Sequence, residues 1–151
     1  MYRRFETFTL LINRISRSIR RIKTEEMSAY DLKSPHVSCL YYLFCNKSLT
    51  AKELVELCDE DKSAISRSLE YLNKKGYVEY TKKDSKCYKS PIVLTDEGEK
   101  IGKYVVDKIN SILYEVGGSL TDEEREICYR SLGVICQDLQ DICDKYMESG
   151  N

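Results

Sequence analysis

Proline occurs only twice in this sequence and glycine seven times. Such a shortage of helix breakers leaves long uninterrupted segments, which points to a mostly helical chain. No stretch approaches the ~18 consecutive apolar residues of a membrane-spanning helix. The apolar run after Met1-Tyr2-Arg3-Arg4-Phe5-Glu6 is broken by Asn13 and Arg14, so a cytoplasmic protein without signal peptide or membrane segment is expected. Seven cysteines, Cys39, Cys45, Cys58, Cys87, Cys128, Cys136 and Cys143, are odd in number and contain no C-x-x-C pair. Neither a disulfide framework nor a zinc ribbon fits them, and reduced thiols, mostly small core residues, are expected. Histidine occurs once, as His36, with no neighbouring context for a triad. A Gly-rich phosphate loop, G-x-S-x-G and H-E-x-x-H are all missing. The expectation is a non-enzymatic protein with no metal and no cofactor.

What is present is charge, unevenly distributed. The net charge is only -1, but up to Lys23 the chain carries Arg3, Arg4, Arg14, Arg17, Arg20, Arg21 and Lys23 against Glu6 alone. From Thr121 onward the sign reverses, with Asp122, Glu123, Glu124, Glu126, Asp138, Asp141, Asp144 and Glu148 outnumbering Arg125, Arg130 and Lys145. A middle stretch holds Lys74, Lys75, Lys82, Lys83, Lys86 and Lys89 against Glu79 and Asp84. Local excess of one sign is an electrostatic statement about partners that the net charge conceals.

Both ends of the chain read as long amphipathic helices. Phe5, Phe8, Ile12, Ile15, Ile19 and Ile22 recur at spacings of three and four, as do Cys128, Leu132, Ile135, Leu139, Ile142 and Tyr146 after the capping signal Thr121-Asp122-Glu123-Glu124. A third helix, Asp96 to Glu115, carries Ile101, Tyr104, Val105, Ile109, Ile112 and Leu113 and is closed by Gly117-Gly118. These stripes exceed what one small subunit readily covers, which favours a homodimeric helix bundle over a monomeric one. The length predicts one domain, 1–151, with 34–95 as a separate functional region between helical dimerisation segments 1–30 and 96–151.

Within that middle region Ser34-Pro35 opens a helix to about Cys45, Thr50 and Glu53 form a capping box for a short helix ending near Cys58, and Asp61 caps a helix from Lys62 to Lys75 stopped by Gly76. The period then changes from 3.6 to 2 in Tyr77 to Thr81 and again in Lys89 to Thr95, two strands joined by a polar, lysine-bearing tip. The fold class is therefore mostly α with a small β-hairpin wing, a winged helix-turn-helix with long terminal helices.

In the Lys62 to Lys75 segment, Ile65, Leu69 and Leu72 must face the core, which leaves Lys62, Ser63, Ser66 and Arg67 outward near the helix start. Short hydroxyl side chains permit close approach to a major groove, and arginine can bond guanine with two parallel hydrogen bonds. Lys82, Lys83 and Lys86 on the wing would add phosphate contacts. Double-stranded DNA is the expected partner; the alternative is a winged-helix protein-interaction module without DNA readout.

The run Asp61-Lys62-Ser63-Ala64-Ile65-Ser66-Arg67-Ser68-Leu69-Glu70-Tyr71-Leu72-Asn73-Lys74-Lys75-Gly76-Tyr77-Val78, followed by Leu94-Thr95-Asp96-Glu97-Gly98, resembles the MarR family, whose pattern is D-x-S-x-[IV]-[ST]-R-x-[LI]-x-x-L-x-x-K-G and then L-T-x-x-G. The resemblance spans most of the chain. It implies a homodimer with interleaved terminal helices on a palindromic operator, commonly a repressor relieved by a small ligand or oxidant. Two features depart from the family. Asp84-Ser85-Lys86 places lysine where the wing often has arginine, and a compact ammonium suits a narrow minor groove less well. Peroxide-sensing members carry a reactive cysteine near the chain start, whereas the first here is Cys39, so that mechanism is not carried over. Zinc sensing, which needs several His and acidic ligands, does not fit a lone His36.

Tyr30, His36, Tyr41 and Tyr42 are candidates for an effector cleft, with a surface or capping role as the alternative for His36. Cys87, flanked by Lys86 and Lys89, is the one thiol expected to be exposed and the candidate redox residue, the plain alternative being an incidental loop cysteine. Cys136 and Cys143 share a helix face, where core packing is favoured over pairing across a dimer axis.

Overall fold

The computed structural model describes residues 4–81 and 90–149. In chain order the elements are α1 (Arg4–Glu26), a 3-10 turn (Ser28–Tyr30), α2 (Ser34–Asn46), β1 (Ser48–Leu49), α3 (Ala51–Cys58), α4 (Lys62–Lys74), β2 (Val78–Tyr80), β3 (Ile92–Leu94), α5 (Asp96–Glu115) and α6 (Asp122–Ser149). The chain divides into two compact units, 1–109 and 110–151. Among the described residues no helix is long and apolar enough to cross a membrane.

The first unit is built on local signals that agree with its packing. Thr50 Oγ1 accepts from the Glu53 amide at 3.3 Å while the Glu53 carboxylate accepts from the Thr50 amide at 2.7 Å, a reciprocal cap that starts α3. Asp61 Oδ1 accepts from the Ala64 amide at 2.8 Å and starts α4, and Gly76 at φ +76° takes the left-handed turn that ends it. Leu40 and Leu43 of α2, Leu54 of α3, Ile65, Leu69 and Leu72 of α4, Val78, Ile92 and Val105 of α5 are buried together in one core. Each such residue contributes roughly 1.5–3 kcal/mol by leaving water.

The sheet is antiparallel with order β1-β3-β2. Leu49 and Tyr80 both pair with Ile92, and Glu79 pairs with Val93. The regular strands are shorter than the period-2 runs Tyr77 to Thr81 and Lys89 to Thr95, and β1 is a third strand too short to leave an alternating pattern. Beyond Tyr80 the arms stay joined by the Thr81 amide donating to the Pro91 carbonyl at 3.0 Å. The wing tip, with Lys82, Lys83, Lys86 and Cys87, lies outside the described residues.

In the second unit Gly117 at φ +69° turns the chain out of α5, and a second reciprocal cap starts α6. Thr121 Oγ1 accepts from the Glu124 amide at 3.2 Å and the Glu124 carboxylate from the Thr121 amide at 2.8 Å. The apolar stripes of the terminal helices are open to solvent in the single chain. Ile15 and Ile19 of α1 and Leu139 and Ile142 of α6 are about half exposed. The same geometry corrects two thiol expectations. Cys45, Cys128, Cys136 and Cys143 are all exposed, so the cysteines are not mostly core residues and Cys87 cannot be the one exposed thiol. The reason is that α6, within its own unit, leaves Cys128, Cys136 and Cys143 open to solvent instead of packing them in a core.

Candidate nucleic-acid interface

Helix α4 faces two ways. Ile65, Leu69 and Leu72 are buried, and Lys62, Ser63, Ser66 and Arg67 are exposed, the arrangement its spacing predicts. The buried Ser68 hydroxyl is satisfied by donating to the Ala64 carbonyl at 2.8 Å, so it presents no free polar group to the surface side. Toward the helix end Glu70 and Lys74 pair at 2.9 Å across one turn, and the N-terminal half of this face carries Lys62 and Arg67. That end is also the positive pole of the helix, which favours an anionic partner.

The start of α4 is anchored to α1 as well as capped. Arg20 bridges to Glu60 at 3.2 Å, with the Glu60 side chain only 15% exposed, which ties the turn before α4 to the first helix.

Beside α4 lies a cleft of about 470 Å³ lined by Asp31, Lys33, Pro35 and His36 on one wall and Ala64, Arg67, Ser68 and Tyr71 on the other. The Tyr71 hydroxyl donates toward Asp31, with its carbonyl and carboxylate oxygens each 2.7 Å away. That hydroxyl, and Lys75 after it, hold the Asp31 carboxyl below its ordinary range. The His36 ring stacks on Tyr71 at 4.4 Å, nearly parallel. His36 Nδ1 accepts from the Lys33 amide at 3.1 Å, so the imidazole is a cap for α2 and must be unprotonated at that nitrogen. Burial, then the Lys33 charge, lower its pKa against the opposing pull of Asp31.

Of the four effector-cleft candidates, His36 lines this cleft. The others are placed elsewhere: Tyr30 packs on Tyr104 at 5.5 Å, and Tyr41 and Tyr42 meet edge to face at 5.2 Å. The residues that sequence reading missed are Asp31, Lys33, Pro35, Ala64, Ser68 and Tyr71. Ala64, Arg67, Ser68 and Tyr71 do carry a signal, since they fall at i, i+3, i+4 and i+7 and form a stripe flanking the apolar one. Among the described residues no cluster of three or more His, Cys, Asp or Glu side chains is placed to hold a metal ion.

The elements and their order define a winged helix-turn-helix protein. Its fold is the one seen in MarR-family regulators: the chain superposes on a MarR family regulator from Neisseria meningitidis with a TM-score of 0.80 at 17% identity, over 94% of this chain and 97% of that one. It superposes on S. aureus MepR in a DNA complex with a TM-score of 0.76 at 18% identity, over 87% and 97% of the two chains. Residues 27–91 match the family model of the sugar-specific transcriptional regulator TrmB. An uncharacterised HTH-type transcriptional regulator of Bacillus subtilis (strain 168), YwoH, is 27% identical over 115 residues, covering 76% of this chain and 83% of that one.

Proposed function

We propose that this chain is a MarR-type transcription regulator that binds a palindromic DNA operator as a homodimer and acts as a repressor relieved by a small ligand or an oxidant. The observation that carries the reading is the exposure of Lys62, Ser63, Ser66 and Arg67 on a capped helix whose opposite side is fixed in the core. Arg67 bonds a guanine edge, Ser63 and Ser66 contact bases or position the helix, and Lys62 meets phosphate. Lys82, Lys83 and Lys86 extend the contact along the backbone and supply the salt-dependent share of affinity. The fold shared with a DNA-bound regulator supports the same reading.

The half-exposed isoleucines and leucines of α1 and α6 support dimerisation, since exposed apolar stripes of that length mark interaction surfaces. Two copies then present two reading helices to successive major grooves. An effector in the cleft beside Arg67 would act by shifting that side chain.

A gel shift with the DNA upstream of the chain's own gene, titrated with salt, tests the proposal. A preference for that DNA over random duplex, with affinity falling steeply as salt rises, is expected. No sequence preference at any salt concentration would leave the protein-interaction module as the better reading.

A further inference from the structure

At about 100° per residue, Arg14, Arg17 and Arg21 fall at i, i+3 and i+7 on one side of α1, more than a right angle away from the stripe of Ile12, Ile15, Ile19 and Ile22. All three arginines are exposed, and among the described residues none of them is in an ion pair. Their basic neighbours are engaged: Arg20 bridges to Glu60 at 3.2 Å, and Lys23 is half-buried and donates to Ser38 Oγ at 2.9 Å.

A solvated helix face ordinarily intersperses charges of both signs. Here like charges stand three and four residues apart, a repulsion that works against the helix and that an anionic partner relieves. A second copy covering the apolar stripe is not that partner, because the row points away from the stripe and stays outside such a seam. The Arg20 bridge fixes where the row lies. Glu60 immediately precedes Asp61, the cap of α4, so this part of α1 borders the end of the helix that exposes Lys62, Ser63, Ser66 and Arg67. By pairing with Glu60, Arg20 also offsets a carboxylate that would repel an anion arriving at that junction. Three guanidiniums spread over about 10 Å of helix axis suit a chain of repeated phosphates better than one small anion.

We propose that Arg14, Arg17 and Arg21 form a phosphate-binding row that holds the DNA backbone flanking the segment read by α4. The row rests on the regulator reading and adds to it a contact without sequence information, one that lengthens the bound duplex and strengthens attachment at low salt.

The test titrates binding of the full-length protein with salt on three duplexes. One ends at the edges of the sequence-dependent segment of the DNA upstream of the chain's own gene, one extends it by about ten base pairs, a helical turn, on each side, and one is random DNA of the longer length. Wild type should bind the extended duplex more tightly than the short one and with a steeper salt slope. The triple variant Arg14→Gln, Arg17→Gln and Arg21→Gln should lose that gain. Its affinity for the extended duplex should fall roughly tenfold or more, and its slope by about 0.9 for each phosphate contact removed, with binding to the short duplex unchanged. The corresponding triple change to lysine should keep both, since a point charge suffices for a phosphate. Circular dichroism and sedimentation check the fold and association of the variants, and the length dependence of wild type needs neither.

The proposal is overturned by a wild type indifferent to duplex length, by an unchanged slope in the glutamine variant, or by an equal loss on the short duplex. Loss of self-association with the DNA slope intact would assign the row to a protein contact and overturn it as well. If wild type does not prefer the upstream DNA over random duplex, the regulator reading fails. The random duplex then still decides the row, because phosphate contacts are indifferent to sequence: the glutamine variant lowers the slope there, or the row fails too.

Discussion

Gly98 lies directly against the backbone carbonyl of Tyr77, so close that a Cβ at this position would overlap both the carbonyl oxygen and its carbon. The contact seats the first turn of α5 on the start of β2, and Thr95 completes the junction by donating to the Gly76 carbonyl at 2.6 Å and accepting from the Gly98 amide at 3.0 Å. Gly98→Ala cannot be accommodated by rotating a flexible side chain, because the obstacle is main chain. It should cost about 3 kcal/mol, the upper part of the range for overpacking. Urea unfolding of the two proteins measures it, and a change within error would show that the α5 start can slide.

The cap of α4 is a separate, smaller term. Asp61→Ala removes the acceptor for the Ala64 amide and should destabilise by about 1 kcal/mol, with Asp61→Asn largely restoring stability. Thermal denaturation of the three proteins gives the comparison.

Protonation of His36 works against the folded state. Its Nδ1 accepts from the Lys33 amide, which the imidazolium cannot do, and its folded pKa is lowered from 6.5. The native state therefore binds fewer protons than the unfolded one. The contribution is fully present above pH 6.5 and is lost as the pH falls through the lowered value. His36→Phe keeps the stack on Tyr71 and deletes the titration. The stability gap between wild type and this variant should narrow on acidification, as read by melting temperature between pH 7 and 5; a constant gap would contradict the assignment.

Much of this architecture was written in local patterns. The reciprocal caps at Thr50 and Glu53 and at Thr121 and Glu124, the bounds of α5, and the outward set Lys62, Ser63, Ser66 and Arg67 all follow from spacing, because helix geometry converts sequence interval directly into direction. What escaped was of two kinds. The two-residue strand Ser48–Leu49 is shorter than any period it could display. The hydrogen bond of Tyr71 to Asp31 and the stack of His36 on Tyr71 join residues far apart in the chain, and no local pattern encodes which elements touch. The exposed cysteines of α6 were misread for a related reason: an apolar stripe announces that it will be covered, but not whether its own chain supplies the cover.

That stripe gives the next prediction. Ile15→Glu combined with Ile19→Glu places charge on a face that is half exposed in the single chain, so the subunit should keep its helical content. Sedimentation should shift from dimer to monomer, and operator affinity should fall because two half-sites are no longer bound together. A monomeric wild type would remove the dimer from the account.

The central claim, that the outward side of α4 reads bases, is tested most directly by Arg67→Ala. Binding of wild type and variant to the upstream operator and to random duplex is titrated across salt, with Lys83→Ala as the comparison. Arg67→Ala should lose about 1–3 kcal/mol on the operator and little on random DNA, while Lys83→Ala should weaken both alike and flatten the salt slope. Equal losses on operator and random DNA for Arg67→Ala would contradict the account.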